Sequence, residues 1–571
     1  MNNITKVILL VLCLLPVVWL SYALHGFPKI GIDDANIFFT YAENLASGNG
    51  ISYAHNAERV EGFTSMLWML ICALIFFIGQ KEIGVLVVSI CIMLFTQWIL
   101  INVICRFAVQ KGKKAWPYVC GYLVLIACSP AYITWMTISL MDTCLWGLFI
   151  ASMTFFVIFP PKSNLEKFIA AIPFIFAPMS RPEGMLVAPL LIALLWIRSY
   201  SLGLNYITRY CIKLFYLMFF LLGLLTAFRL MYFGYPFPNT YYAKVSPSII
   251  YNLWEGMKYL TSFIISGSII VVFVAIVLFI FRSVLVDVFY CFRDKKSDMF
   301  LRPYDASALV ALLLLFIPVV SGGDHFRMFR LYQPVYPIIC LTVVLWMYDL
   351  RIEHLSSANR AIPHIIQYFF LVVFVPVIGY GFYSVAFRHS WDDVQCYGST
   401  MKHEFSISEN GIKQGNTLVK IFVENNYLPS IGVITSGGIA RTYPGPIVDL
   451  MGLNNSLIAH FKGDRKGIKN HAAFEKDTFF MLDIDLLLFA PTGWGSKQLK
   501  GLCEDPRFTG EWLYGEFSLK NNPKYSIKAL ARSSFLSKIK NNPNLEYRVE
   551  MIWLGKLKKW VKVVPSAQQK K

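Results

Sequence analysis

The stretch TSMLWMLICALIFFIG, Thr64 to Gly79, decides the fold, because every connection after it changes side according to whether it crosses a membrane. Its 16 residues would rise about 24 Å as a helix, short of the roughly 30 Å of a hydrocarbon core. Eleven other apolar runs flank it, at about residues 7–24, 83–105, 116–137, 143–160, 168–180, 184–197, 211–231, 261–281, 306–320, 331–348 and 364–386. If 64–79 dips into the outer leaflet and returns, the basic connections all fall on one side. Those connections carry Arg106, Lys111, Lys113 and Lys114, then Lys162 with Lys167, then Arg198 with Arg209. Arg282, Arg293, Lys295, Lys296 and Arg302 follow, and finally Arg351 and Arg360. Positive charge marks the cytoplasmic side, so the N-terminus is expected inside and the segment after residue 386 outside. Val7–Leu24 then reads as a retained signal anchor.

Composition agrees with many spans. The 571 residues are 56% hydrophobic and only 15% charged, with mean hydropathy +0.54, against about 25% charged residues in a soluble domain. Disordered, collagen-like and disulfide-scaffold classes are excluded. The net charge of +18 is therefore read first as topology, with inner-membrane lipids as neighbours and no nucleic-acid partner. Span interiors hold almost no ionisable residue, unlike those of an ion-coupled transporter, which needs a relay near the midplane. All cysteines but Cys396 and Cys503 sit in or beside apolar runs, where a thiol acts as a small hydrophobe. A bridge between those two is an open option. No C-x-x-C or H-E-x-x-H spacing occurs, which argues against a protein-only zinc site.

The expected architecture is an α-helical polytopic membrane domain of about eleven transmembrane helices over residues 1–386, with a first periplasmic loop at 25–82. A periplasmic soluble α/β domain is expected over 387–571. It holds about half of all Lys and Arg against about half of all Asp and Glu, so it is itself basic. IGVITSGGI reads as a strand running into a glycine turn, and DTFFMLDIDLLLFAP as a strand-forming run. The basic, aromatic-rich tail suits contact with anionic headgroups or an anionic glycan, or is simply a solvated face.

The outward loops carry the polar chemistry. Asp33 and Asp34 precede Ile37, Phe38, Tyr41 and Leu45, an apolar stripe at helical spacing that Gly48 ends. This predicts a short amphipathic helix lying in the interface, with two acids at its positive end. Acids there are favoured on capping grounds alone. A carboxylate at the outer membrane edge is also what a hydroxyl nucleophile needs when it attacks an activated sugar carbon. Arg181 in SRPEG lies between two short apolar runs and needs an anionic partner, for which a lipid phosphate would serve. Arg229, Lys244 and the loop residues Asp324, His325, Arg327 and Arg330 face the same side. Singly, each reads first as interfacial snorkelling; together they suggest a phosphate site.

Seven segments in order carry a resemblance: DDANIFFTYAENLASGNGISY (33–53), ERVEGFTSMLW (58–68), TISLMDT (137–143), SRPEG (180–184), YFGYPFPNTYYAKV (232–245), SGGDHFRMFRLYQPVYP (321–337) and GPIVDLMGLNNSLIAH (445–460). From about residue 30 to 460 the chain resembles bacterial GT-C glycosyltransferases related to the mycobacterial terminal arabinofuranosyltransferase. The resemblance implies a polyprenyl-phosphate sugar as donor, a pentose or hexose with arabinofuranose the leading candidate. It implies a glycan or glycoprotein acceptor such as a pilin, and reaction at the periplasmic face of a bacterial inner membrane. Asp33 and Asp34 take the catalytic positions. Arg59 and Glu61 belong by analogy to the loop near the donor, and Arg181, Asn239, Lys244 and Asp324 to its pocket. The leaving phosphate would meet Arg181, Arg229, His325 and Arg327. A divalent cation, Mg or Mn, is an optional cofactor with Asp34 and Asp142 as its candidate ligands; the family more often shows Glu where Asp142 stands. A lipid-linked sugar flippase is the rival reading and predicts polar residues threading the spans and an internal repeat. A non-catalytic scaffold predicts that Asp33→Asn is silent.

Overall fold

The computed structural model describes residues 1–54, 58–246, 248–266, 273–285, 301–326, 328–353, 401–461, 474–499, 501–555 and 558–563. Asn2 opens the first helix by accepting the Thr5 amide at 2.8 Å, and α1 runs over Asn3–Leu24. After it come α2 (Asp33–Ala46), α3 (Met66–Phe77), α4 (Glu82–Gln110), α5 (Trp116–Ala127), α6 (Pro130–Ile133), α7 (Thr143–Ile158), α8 (Asn164–Ser180), α9 (Gly184–Ser201) and α10 (Tyr206–Tyr232). The remaining bundle helices are α11 (Asn239–Lys244), α12 (Ile249–Ser266), α13 (Phe273–Leu285), α14 (Pro303–Val320) and α15 (Tyr336–Glu353).

The decisive run forms α3, of 12 residues, and both its ends lie on one side. Before it, the Glu61 carbonyl accepts the Asn239 amide at 2.9 Å. After it, Lys81 pairs with Glu43 of α2 at 2.9 Å. Both flanks of α3 are thus held at the end of the bundle that meets the C-terminal domain.

Downstream helices alternate between a cleft end and a far end. Lys6 of α1, Lys111 after α4, Ile158 of α7, Glu166 of α8, Arg198 of α9, Arg302 before α14 and Asp349 of α15 share one cavity at the far end. His25, Glu82, Asp142, Arg181, Glu183, Arg229 and Asp324 mark the opposite ends of those helices or the start of the next, where the C-terminal domain sits.

Several expected spans change shape. Among the described residues five helices are long and apolar enough to cross a membrane: α1, α4, α9, α10 and α14. The run 116–137 is one bent pair rather than a single rod, Trp116–Ala127 and Pro130–Ile138 meeting at 75°, and would make a sixth. Pro130 has no amide hydrogen to continue the helix, and Ser129 caps the new segment through the Tyr132 amide at 3.3 Å. The run 261–281 falls on parts of α12 and α13. The eleventh run, 364–386, and the boundary at 386/387 lie outside the described residues.

The C-terminal domain begins with α16 (Met401–Ile421), which packs Leu418 and Ile421 onto Phe517, Ala529 and Ala531. Its strands are β1 (Ile431–Val433), β2 (Ile447–Asp449), β3 (Leu486–Leu487), β4 (Trp512–Leu519), β5 (Asn522–Arg532), β6 (Leu545–Leu554) and β7 (Lys559–Lys562), ordered β2-β1-β3-β5-β4-β6-β7. β1 pairs in parallel with β2 and β3, and the remaining pairs are antiparallel. IGVITSGGI is the expected strand and glycine turn, the turn being the short helix α17 (Gly437–Ala440). DTFFMLDIDLLLFAP differs: only Leu486 and Leu487 pair, because a helical turn over Lys476–Phe479 buries Thr478 and Phe479 first. The basic tail supplies the antiparallel strands β5 to β7. Cys503 is buried as a free thiol, and Cys396 lies outside the described residues.

Candidate active site

The amphipathic helix predicted around the acid pair exists as α2, but it does not lie on a lipid surface. Ala35 to Ala42 are all buried. Phe39 meets Phe76 of α3, and the Arg441 guanidinium of the C-terminal domain lies 5.3 Å from the Phe76 ring. Asn36 donates to Ser408 of α16 at 2.6 Å. The face opposite the apolar stripe is thus covered by the sheet domain.

The N-terminus of α2 meets that domain through Asp33. Its two carboxylate oxygens accept the amides of Gly437 at 3.0 Å and Gly438 at 2.7 Å. Only glycine permits this approach, since a Cβ on Gly437 would stand 1.9 Å from the Asp33 carbonyl oxygen. Behind the glycine pair, Tyr53 donates its hydroxyl to the Ser436 carbonyl at 2.5 Å. Asp449 accepts the Met451 amide at 2.9 Å and both nitrogens of Asn454 at 2.9 and 3.1 Å. Desolvation lifts the Asp33 carboxyl to about 6, against the opposing pull of the Gly438 and Gly437 amides.

Asp34, one residue on, has the opposite electrostatics. Lys244 lies 3.5 Å and Arg330 3.6 Å from its carboxylate. Burial pushes its carboxyl up, yet Lys244, Arg330 and His325 outweigh burial and hold it below the usual range. Arg330 also donates to Asp324 at 2.6 Å, and Asp324 accepts the His325 amide at 2.9 Å. Despite its own desolvation, Asp324 is held down to about 2 by Arg330 and His325. Burial drops the His325 imidazole to about 4, so it is neutral at pH 7 and can donate one hydrogen bond without adding charge.

Beside this cluster, Arg181 donates to Asp142 at 3.1 Å and to both oxygens of Glu183 at 3.1 and 3.2 Å. Arg181 has therefore found its anionic partners within the protein. Glu61 and Arg229 form a bidentate pair at 2.7 and 2.8 Å, both side chains almost wholly buried. Asn239 donates its amide to the carbonyls of Gly452 and Leu453, clipping the loop after α10 to the sheet domain. Arg59 is exposed and stacks at 4.7 Å on Tyr232.

The sequence candidates thus divide. Asp33, Asp34, Lys244, Asp324, His325 and Arg330 converge, with Asp142 and Arg181 adjoining through the field of Arg330. Glu61, Arg229 and Asn239 engage partners that hold elements together, Glu61 with Arg229 and Asn239 with the Gly452 and Leu453 carbonyls. Arg327 lies outside the described residues. Asp34 and Asp142, the candidate metal ligands, are each engaged by cationic side chains, and among the described residues no three His, Cys, Asp or Glu converge as a metal site. Sequence reading missed Gly437, Gly438 and Glu183 as site residues; the glycine doublet after a strand was the available signal for the first two.

No protein-family model matches the chain, and no curated protein matches it significantly. Solved structures do. The apo oligosaccharyltransferase of Archaeoglobus fulgidus superposes with a TM-score of 0.50 at 9% identity, over 94% of this chain and 75% of that one. ArnT from Cupriavidus metallidurans in the apo state gives 0.46 at 11% identity, over 91% and 98%. The same protein bound to undecaprenyl phosphate gives 0.43 at 12%, over 78% and 86%. The fold is the one seen in the archaeal oligosaccharyltransferase structure, a helical domain carrying a C-terminal sheet domain.

Proposed function

We propose that this protein is a membrane glycosyltransferase that moves a sugar from a polyprenyl phosphate to an acceptor hydroxyl at the periplasmic face of a bacterial inner membrane. In this reading the N-terminus is cytoplasmic and the sheet domain periplasmic. The observation that carries it is the pair of adjacent carboxylates with opposed environments at the N-terminus of α2. Asp33 has a raised pKa and no cationic partner at hydrogen-bond distance among the described residues, whereas Asp34 is embedded among Lys244 and Arg330. Two titratable groups pushed apart in this way divide the acid–base work.

Asp33 takes the proton of the acceptor hydroxyl as its oxygen attacks the anomeric carbon. The bond from that carbon to the phosphate oxygen breaks, and the polyprenyl phosphate leaves with one more negative charge. Lys244 and Arg330, already oriented by Asp34 and Asp324, meet that charge, and neutral His325 can donate to it. The donor class and the choice of arabinofuranose rest on the resemblance of the seven segments; a surface glycan or a pilin-like protein is the proposed acceptor.

The test compares cells carrying wild type, Asp33→Asn or no copy, by mass spectrometry of surface glycans and glycoproteins. Asp33→Asn should accumulate at wild-type levels in the membrane yet lower the transfer rate by about 10²–10⁴-fold. Full glycan mass in the Asn variant would sink the catalytic assignment and leave the topology standing.

A further inference from the structure

At the end of the bundle away from the cleft lies a cavity of about 1030 Å³, walled by the ends of α1, α4, α7, α8, α9, α14 and α15 and by their connections. Six of the cations around it are Lys6, Arg106, Lys113, Lys114, Lys162 and Arg198. Two more, Lys111 and Arg302, are bound to Asp349 at 2.7 Å and Asp305 at 2.9 Å. Against these eight, Glu166 and Asp349 are the acids that line it among the described residues. Lys6 is buried and reaches the Asn102 side-chain oxygen at 2.6 Å. Lys113, Lys114 and Lys162 are exposed, and among the described residues none of them pairs with a carboxylate.

Orientation of the spans needs basic residues near their cytoplasmic ends, but it does not need them gathered about one concavity. Here residues from seven separate elements converge, and mutual repulsion of so many cations favours an anionic occupant. The rim says which kind. Val109, Leu165 and Phe168 are exposed apolar side chains beside the cavity, and Trp116 supplies an aromatic of the sort found at headgroup level. A phosphate in the cavity could therefore be attached to acyl chains running down the outside of α4 and α8.

We infer that this cavity is a binding site for an anionic phospholipid headgroup of the leaflet opposite the cleft, the cytoplasmic leaflet in the orientation proposed above. A phosphate diester would sit among Lys113, Lys114, Lys162 and Arg106 with Lys6 deeper, and its chains would pack on Val109, Leu165 and Phe168. The site serves to seat the bundle in an acidic leaflet and stands apart from the donor site, so it does not depend on the transferase reading.

The test uses the full chain in detergent, titrated with phosphatidylglycerol, phosphatidylcholine or inorganic phosphate, with binding read by native mass spectrometry. Phosphatidylglycerol should be preferred to phosphatidylcholine. Combined Lys113→Gln, Lys114→Gln and Lys162→Gln should weaken its binding by roughly 10- to 100-fold. Neutralising Lys520, Lys524 and Lys540 of the sheet domain should not. On the wild-type protein alone, rising salt should erode the preference. Unchanged phosphatidylglycerol binding in the first triple variant, equal loss in the second, or a salt-independent preference would overturn the inference. Equal occupancy by inorganic phosphate would assign the cavity to the free ion instead.

Discussion

At the cleft end the arginines are tied to carboxylates: Arg181 to Asp142 and Glu183, Arg229 to Glu61, Arg330 to Asp324 and Asp34, and Arg441 to Glu43 and Glu82. At the far end eight cations share a cavity with two acids. Charge near the chemistry is thus balanced within the protein, which fixes side chains in one geometry at the cost of desolvating them. Charge at the other end is left in surplus, with Lys113, Lys114 and Lys162 exposed, which suits orientation in the membrane and attraction to anionic lipid. An arginine in a membrane protein is therefore not by itself a phosphate ligand; one sealed against its carboxylate, as Arg229 is against Glu61, holds the fold together.

The largest effect should come from breaking the buried pair at the cleft end. Arg229→Met leaves Glu61 charged and unpartnered in a site where both side chains are almost inaccessible, and should cost about 3–5 kcal/mol, read as a fall in Tm of the purified protein. Adding Glu61→Leu should return most of that loss. An unaltered Tm in the single variant would mean the pair is not structural.

Next comes the seam between the domains. Gly437→Ala puts a Cβ 1.9 Å from the Asp33 carbonyl oxygen and should cost about 1–3 kcal/mol while displacing the carboxylate proposed as the base. Transfer activity should fall further than stability alone explains, so equal losses in both would count against the seam as the device that positions Asp33.

The acid limb separates chemistry from stability within the cleft. Below pH 6 Asp33 takes up a proton and the rate should fall about tenfold per unit. Folding responds in the opposite sense there. A carboxyl raised above its unfolded value of about 3.9 burdens the fold only when ionised, so protonating Asp33 relieves the native state. Asp324, depressed to about 2, keeps its stabilising contribution until the pH falls below about 4 and loses it toward 2. Between pH 6 and 4 activity should therefore drop with no matching fall in Tm from these two carboxylates. His325, lowered to about 4, withholds a proton that the unfolded chain takes up near 6.5 and so lowers Tm over the same window; a fall in Tm that persists in a His325→Gln background would contradict the assignment.

The smallest effect belongs to a cleft-side arginine outside the ion-paired set. Arg59 stacks on Tyr232 in the open, and Arg59→Gln should change stability by no more than about 0.5 kcal/mol. Its effect on donor KM then reports directly on whether this residue touches the donor.

Much of this was legible in the chain itself. The acid pair, the apolar stripe and Gly48 describe α2 almost to the residue, and the run 64–79 was already short for a span, in keeping with the 12 residues of α3. Those signals are local or periodic. The burial of α2 was not legible, because the cover over Asn36 and Phe39 comes from α16 and Arg441, some four hundred residues away. The broken helix at Pro130 carried its own signal in Ser129 and Pro130, within a run that hydropathy alone reads as continuous.

Hydrophobic length, positive charge and helix capping act over one turn or one span, so the chain alone specified the class of molecule, the alternation of its helices and the two acids at the start of α2. What each charge is for was settled only by packing. Glu61 and Arg229 lie 168 positions apart, and Asp33 and Gly437 404 apart, so no local pattern could announce either contact. Between packed elements the low dielectric strengthens every charge–charge contact, and the choice of partner then governs what a charged side chain does. It separates Asp33 from Asp34, commits Arg229 to Glu61, and leaves the far-end lysines open to an anionic ligand.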